Sequence, residues 1–486
     1  MHFEKKRIGE AVKQRELELE DIQEPVFSVK KSMKHVLKDK SYSKYFKKTQ
    51  GVWKRFLLIP ILIVAFFFIV QGMFTLYSYS SDKSFLQKVF TPIIEELEKD
   101  DNGFVNILLV GHGGGNHDGP DLTDSMIVAS IDTEKKSVVM LSVPRDFWVS
   151  TNQFGESRIN ELYRNAKLRL EGKFGLAEDL ASDEAMNVLM KELELITEIK
   201  IPYYAQIDFQ GLVDVVNKLG GIPIEVEENI YDEKYPDGNW GFETFDLKAG
   251  SHVLDGETAL KYSRSRHGSS DFNRAGRQQE VIQAVKDTAL SAGVLSSPRK
   301  IQGLFNVIQK HFRTNLSVKE LVSLAIIGSK VNRDSLFSAV LNDDWNSRGG
   351  FLGTPPRVDY GGAFVLIPYS GFGNLSRIHI FTSLLFQYRE LQFEKFEVLN
   401  GTQLGGLASK AAKRLDRYGI NVSSVGNIRG KEYYKDSELW VYKNYALIEK
   451  IEPLLQEIFD IKIINKEGVY VETDVIGTFI IGTRYK

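Results

Sequence analysis

The 486-residue sequence predicts an α/β fold, a mixed central sheet flanked by helices, with an N-terminal transmembrane helix and a small C-terminal α+β domain. Three observations carry that expectation. Short apolar runs alternate with helical patterns from Asn106 onward, a charge-free apolar stretch stands near the N-terminus, and the strand-turn-helix pattern restarts at Phe396.

Residues 1–55 are polar and mixed in charge, and predict a mostly disordered basic cytoplasmic tail. Phe56 to Ser81 contains no charged residue, and residues 56–78 are long enough to cross a bilayer as a helix. Lys30 to Arg55 holds ten basic residues against the single acid Asp39, which places the N-terminus in the cytoplasm and everything after residue 81 outside the cell membrane. Such a basic flank also suits contact with the anionic lipid bilayer. In an expected linker over 79–100, Phe85, Val89, Ile93, Ile94 and Leu97 recur at helical spacing and predict an amphipathic helix.

The folded body opens with the apolar run Asn106–Val110, which ends in a glycine-rich loop over Gly111–Gly119. Strands are expected at Met126–Ile131 and Val138–Ser142, separated by the polar break Asp132–Lys136. A helical region follows from Asn160 to Ile196, interrupted near Gly172–Gly175, then a strand at Tyr203–Ile207. Leu212, Val213, Val216 and Leu219 mark a helix stopped by Gly220-Gly221, with a strand at Ile222–Val226. Residues 300–385 look helical first and strand-like later. A boundary near Leu391 sets off residues 391–486, long enough for a separate small domain.

The formal net charge of −2 hides an asymmetry: residues 1–55 carry 15 Lys and Arg against 8 Asp and Glu, and the rest carry 47 against 56. The larger part is therefore not built to bind nucleic acid, whose affinity comes from clustered positive charge, and no specific nucleic-acid partner is expected. With no cysteine, the chain has no disulfide, no thiolate nucleophile and no cysteine-ligated metal.

The chemistry concentrates in Tyr262–Gln279. Arg264 and Arg266 alternate, so on a strand both point to one face. A polar turn then delivers Asp271 ahead of a helical run in which Arg274 and Gln278 fall on adjacent turns, with Arg277 beside them. Guanidiniums roughly 6 Å apart repel by about 2–3 kcal/mol per pair at an effective dielectric of ~20, which an anion relieves. Their planar forks suit phosphate. A solvated basic surface is the alternative.

The loop from Gly111 holds Asp118, Asp121 and Asp124, hard oxygen ligands of the type magnesium prefers; a hydrophilic turn would look the same. It lacks the Gly-Lys-Ser/Thr ending of a nucleotide P-loop. His112-Gly-Gly-Gly115 matches an esterase oxyanion loop, yet no Gly-x-Ser-x-Gly elbow exists in the chain. Zinc is disfavoured for His112 and His117, because their glycine-rich flanks give no rigid spacing. Arg145 follows the strand Val138–Ser142 through Val143-Pro144, a position where open α/β sheets place ligand groups. Tyr163, Tyr203, Tyr204 and Phe209 are expected in the core rather than as sugar platforms.

Taken together, Asp121-Leu-Thr-Asp-Ser-Met126, Leu141-Ser-Val-Pro-Arg-Asp146, Arg158-Ile-Asn160 with Tyr163, Phe209-Gln-Gly211 with Leu219-Gly-Gly221, and Tyr262–Gln279 resemble the LytR-CpsA-Psr family of cell-wall glycopolymer ligases over residues 101–385. The segment from Phe396 to about Asn427 is similar to the C-terminal domain often attached to that family. The resemblance implies a membrane-anchored phosphotransferase. It would bind an undecaprenyl-pyrophosphate-linked glycopolymer, move the glycosyl-phosphate onto peptidoglycan and depend on Mg²⁺.

Carried onto this sequence, the resemblance gives Arg145, Asp271, Arg274 and Gln278 catalytic roles. Arg145, Arg264, Arg266, Arg274 and Arg277 would hold the pyrophosphate, and Asp124, with Asp121 or Asp118, the metal. Asp271 would either orient an arginine or accept the proton of the incoming hydroxyl. Two departures stand out: Gly111-His-Gly113 replaces the Gly-x-Asp of many members, and Leu122 replaces an arginine. A noncatalytic envelope polymer-binding or regulatory (transcriptional attenuator-type) protein and a lipid-pyrophosphate phosphatase are the competing expectations.

Overall fold

The computed structural model describes residues 96–115, 119–236, 241–265, 271–291, 310–430, 433–469 and 474–485. The expected tail, membrane span and most of the linker helix lie outside these residues. Among the described residues no helix is long and apolar enough to cross a membrane.

The chain runs β1 (Val105–His112), β2 (Thr123–Asp132) and β3 (Ser137–Ser142), then the hairpin β4 (Trp148–Thr151) and β5 (Gly155–Arg158). Helices α1 (Ile159–Phe174) and α2 (Glu178–Thr197) lead to β6 (Tyr203–Asp208) and α3 (Phe209–Leu219). Four short strands follow: β7 (Ile222–Val226), β8 (Ile230–Pro236), β9 (Phe242–Leu247) and β10 (Gly250–Leu254). Next come α4 (Gly256–Arg264), α5 (Asp271–Ser291), β11 (Phe312–Thr314), α6 (Val318–Gly328) and β12 (Leu336–Val340). The two-residue strands β13 (Leu352–Gly353) and β14 (Ile367–Pro368) and helix α7 (Ser376–Thr382) precede the C-terminal elements.

The central sheet has the order β11-β6-β1-β2-β3-β12. Its pairs β1·β2, β2·β3 and β6·β11 are antiparallel, whereas β1·β6 and β3·β12 are parallel, so the sheet is mixed. Strand alternation divides its side chains between two layers. Leu108, Val110, Val128 and Leu141 pack under α1 and α2, whose Leu162, Ala166, Ala185, Leu189 and Leu193 recur at helical spacing and are buried. Gly175 ends α1 in the left-handed conformation at φ 64°, where glycine has no Cβ to clash. On the opposite face Leu109, Ile127, Ala205 and Ile207 meet an open cavity. Beyond the cavity, α3, α4, α5 and β7–β10 assemble a second apolar cluster around Val216, Ile222, Tyr262 and Val281.

One expectation is corrected. Arg264 does not sit on a strand but ends helix α4. Asp255 caps that helix by accepting from the Thr258 amide at 2.8 Å. Ala259, Leu260, Tyr262 and Ser263 are buried at helical spacing, which outweighs the two-residue alternation of the arginines. Gly256 is required at its start, since a Cβ there would lie 2.2 Å from the Val213 carbonyl oxygen.

The restart at Phe396 appears as β15 (Phe396–Asn400), α8 (Leu407–Arg417), β16 (Val422–Asn427), β17 (Ser437–Val441), α9 (Tyr445–Phe459), β18 (Ile461–Asn465) and β19 (Gly477–Ile481). These strands form a five-stranded sheet in the order β16-β15-β19-β17-β18. Its core is continuous with that of the central sheet. Phe351 packs between Phe381 and Tyr418 at 5.2 and 4.9 Å, and the Gly349 amide donates to the Arg417 carbonyl at 3.0 Å.

Candidate functional site

Because β1 and β3 both run antiparallel to β2, while β6 parallels β1 and β12 parallels β3, strands β1, β3, β6 and β12 end at the same edge of the sheet. Around that edge a cavity of about 1220 Å³ opens between the sheet and the second apolar cluster. Its walls are mostly aliphatic and aromatic, from Leu109, Ile127, Ile207, Phe209, Leu260 and Val281 among others. Asp124, Arg145, Arg264, Arg274 and Gln278 also line it. Three elements bring these arginines to the wall: the turn after β3, the end of α4, and α5.

Each cation is held. Arg145 donates from Nη1 to Asp124 Oδ1 at 2.8 Å, and its Nε lies 3.6 Å from Asp146, itself 3.5 Å from Arg158. Arg158 in turn binds Glu161 at 2.7 Å. This relay of alternating charge fixes the Arg145 fork at the cavity wall. Arg264 donates to the Tyr235 hydroxyl at 3.2 Å and lies 4.3 Å from the centre of the Phe209 ring, so aromatic faces orient it. Burial raises the Tyr235 pKa against the opposing pull of Arg264, keeping the phenol a neutral partner. Arg274 is buried in the cavity wall. Gln278 accepts from the Ser125 hydroxyl at 2.8 Å, and its neighbour Gln279 donates to Ser142 Oγ at 2.9 Å, so α5 is pinned to β2 and β3.

Other expected residues stand elsewhere. Arg277 does not line the cavity; it donates to the carbonyls of Tyr262 and Ser265 and locks the end of α4 against α5. Burial lowers its pKa. Asp121 is paired to Lys167 of α1 at 3.2 Å, apart from the residues that line the cavity. Burial works against the Lys167 charge, and the Asp121 carboxylate overcomes it, so that pKa is raised. Arg266, Asp118 and the side chain of Asp271 lie outside the described residues; the backbone of Asp271 begins α5. Tyr163, Tyr203 and Tyr204 are buried as expected, while Phe209 turns into the cavity.

Sequence reasoning missed two parts of the wall. Asp208 caps α3 by accepting from the Gly211 amide at 2.7 Å and from His311 Nδ1 at 2.9 Å. The phrase Asp208-Phe-Gln-Gly211 carried that capping signal. The hairpin β8–β9 supplies Tyr231, Asp232, Glu233, Lys234, Tyr235 and Phe242, with an irregular register between Asp232 and Tyr235. Among the described residues no group of three His, Asp or Glu side chains is placed to hold a metal alone.

The model of the LytR_cpsA_psr family matches residues 73–348, more than half of the sequence. The chain belongs to the LytR-CpsA-Psr family. Residues 395–485 match a second family, described as LytR cell envelope-related transcriptional attenuator. Among curated relatives, the "Cell wall biosynthesis protein LcpA" of Corynebacterium glutamicum is 23% identical over 346 residues, covering 66% of this chain and 62% of that protein. The "Polyisoprenyl-teichoic acid--peptidoglycan teichoic acid transferase TagT" of Bacillus subtilis is 26% identical over 235 residues, covering 48% of this chain and 66% of the relative. The chain thus spans a little under two thirds of the length of these relatives. The solved structure of B. subtilis TagV is 23% identical, with a TM-score of 0.43, over 58% of this chain and 96% of that one.

Proposed function

We propose that this LytR-CpsA-Psr protein is a membrane-anchored phosphotransferase that moves a glycopolymer from an undecaprenyl-pyrophosphate carrier onto peptidoglycan outside the cell. One observation carries the reading. A large apolar cavity bears Arg145, Arg264 and Arg274 in its wall, the combination a molecule with a diphosphate head and a long hydrocarbon tail requires. The charge-free stretch 56–81 would hold protein and carrier in one membrane, raising their effective concentration.

Phosphoryl transfer rests on positioning and charge neutralisation. The acceptor hydroxyl oxygen bonds to the phosphorus that carries the glycosyl group, the bond from that phosphorus to the bridging oxygen breaks, and the polyprenyl phosphate leaves with the bridging oxygen. The hydroxyl proton passes to a base. Asp271 is our candidate for that base or for the group that orients an arginine. Arg145, Arg264 and Arg274 would grip the diphosphate oxygens, and Gln278, fixed by Ser125, would keep α5 and Arg274 in register. Mg²⁺ commonly takes one or two carboxylates plus substrate phosphates. Asp124 on the cavity wall fits that donor set and would hold the ion, which supplies further neutralisation of the diphosphate charge.

The test is reconstitution of the full-length protein in vesicles with a polyprenyl-diphosphate oligosaccharide and peptidoglycan. Phosphodiester-linked sugar on the peptidoglycan is the expected product. Its absence, with the carrier untouched, would refute the reading; release of free glycosyl phosphate into water would instead favour the phosphatase.

A further inference from the structure

Far from the arginine cluster in sequence, a shallow hollow of about 660 Å³ is lined by Trp345, Tyr369, Ser370, Asn374, Ser376 and Arg377. We propose that this hollow is a binding site for an amino-sugar glycan strand carrying carboxylates, and so a docking point for the acceptor polymer. The choice of a cell-wall strand rests on the transferase reading above; the construction of the site does not. Apart from Trp345, these residues fall between the two family matches, which end at residue 348 and resume at 395.

The two rings are exposed yet rigidly mounted. Trp345 is 38% and Tyr369 46% exposed, and the rings meet edge to face with centroids 4.8 Å apart. Beneath Trp345 lies the buried guanidinium of Arg417 from α8, 3.5 Å from the ring centre, with Nε donating to the Trp345 carbonyl at 2.6 Å. The loop that presents Trp345 is tied internally: Asn342 Oδ1 accepts from the Asp344 amide at 3.0 Å and the Ser347 hydroxyl at 2.8 Å. Its base is closed by Gly350, where a Cβ would fall 2.0 Å from the Asp344 carbonyl oxygen. The Tyr369 hydroxyl donates to the Asp343 carbonyl at 3.0 Å. Water-exposed aromatics held this firmly lose little conformational freedom on binding.

The lining selects the ligand. Flat rings offer electron-rich faces to the C–H edges of a pyranose, and hydroxyl, amide and guanidinium groups around them satisfy its hydroxyl and acetamido groups. Asn374 already accepts from the Ser376 hydroxyl at 2.8 Å through Oδ1, which leaves its amide nitrogen as the donor. Arg377, exposed and 5.7 Å from the Trp345 ring centre, supplies a fork for a carboxylate. Among the described residues the hollow is lined by two aromatic rings and polar or charged side chains, with no aliphatic one.

Position connects the hollow to the cavity. Trp345 follows the end of β12 as Arg145 follows the end of β3, and these two strands are adjacent and parallel, ~4.8 Å apart as neighbours in a sheet. Between the two sites the chain is bonded across: the Leu366 amide donates to the Asp146 carbonyl and the Trp148 amide to the Leu366 carbonyl, both at 2.8 Å. Both sites thus follow strand ends at one edge of the central sheet.

The experiment titrates full-length, detergent-solubilised protein with three probes: a hexamer of N-acetylglucosamine, a peptide-free peptidoglycan glycan strand, and a free stem pentapeptide. Wild type is expected to bind both glycans and not the peptide. Trp345→Ala and Tyr369→Ala each weaken glycan binding about tenfold or more, Trp345→Phe recovers part of the loss, and Arg377→Ala weakens the carboxylate-bearing strand more than the neutral hexamer. Polyprenyl diphosphate binding stays at the wild-type level in all four. Tyr369 and Arg377 lie outside the core, so their variants keep the test open should Trp345→Ala unfold. Glycan binding unchanged in the variants, no glycan binding by wild type, or binding of the peptide alone would each overturn the proposal. Strand binding without any transfer sinks the transferase reading alone, whereas transfer with strand binding indifferent to these variants sinks the platform alone.

Discussion

Replacing Arg145 with alanine isolates the electrostatic part of the mechanism, because its surroundings set the size of the effect. The side chain is 23% exposed, so it lies in the regime of intermediate dielectric rather than in bulk water. One guanidinium about 4 Å from a diphosphate charge contributes about 4 kcal/mol at an effective dielectric of ~20. That corresponds to about 10³-fold in rate, at one decade per ~1.4 kcal/mol. The loss is compounded, since Asp124, now bonded to Arg145 at 2.8 Å, also loses the partner that orients it. Arg145→Lys keeps the charge but loses the fork shared between Asp124 and Asp146, and should fall between, about tenfold to a hundredfold down. The assay is transfer of labelled glycosyl phosphate to peptidoglycan at subsaturating donor, read as kcat/KM, with thermal unfolding recorded for each variant. Folded Arg145→Ala and Arg145→Lys proteins that both turn over within threefold of wild type would remove Arg145 from the diphosphate site.

The other expectations test the cavity, the backbone and a cap. Ala205→Phe projects a ring into the apolar wall; retention of radiolabelled polyprenyl phosphate should drop at least about tenfold while a short water-soluble diphosphate still binds, and equal retention would deny the cavity its lipid. Gly256→Ala pushes a methyl against the Val213 carbonyl at 2.2 Å and should cost about 1–3 kcal/mol in denaturant unfolding, because overpacking at rigid backbone cannot relax. The Thr258 amide holds the pKa of the Asp255 carboxyl below the usual carboxylate range. That carboxylate therefore stabilises α4 above the unfolded value, and the benefit fades as pH falls through the folded one. Asp255→Ala should cost about 1 kcal/mol at pH 7, as N-cap losses do, and the gap to wild type should close in acid; a gap independent of pH would sink the capping account.

The sheet and its helices could be read before any coordinates because their signals are local. Asn106–Val110, Val138–Ser142 and Tyr203–Ile207 are short apolar runs that make strands, and Gly175 and Gly220 stop helices where the chain must turn left-handed. Arg264 misled because two arginines two residues apart satisfy a strand pattern, while the helix that carries one of them is set by an Asp255 cap and by burial against α3 and α5. Asp208 and the β8–β9 hairpin went unnoticed as cavity wall for a related reason: nothing in Tyr231–Tyr235 marks which side of an irregular hairpin will face a cavity.

By itself the sequence determined the order of elements, the charge contrast between tail and body, and a set of arginines and carboxylates whose spacing belongs to one family. Only the tertiary structure decided which of them meet. It drew Arg145, Arg264 and Arg274 to one cavity, sent Asp121 to Lys167 and Arg277 to the backbone of α4, and merged the C-terminal elements into the core through Phe351 and Tyr418. The reason is one of range. Hydrophobic periodicity and capping act over a few residues and are written along the chain, whereas the partner of a charged side chain is fixed by packing between separate segments, as Arg145 meets Asp124 and Lys167 meets Asp121.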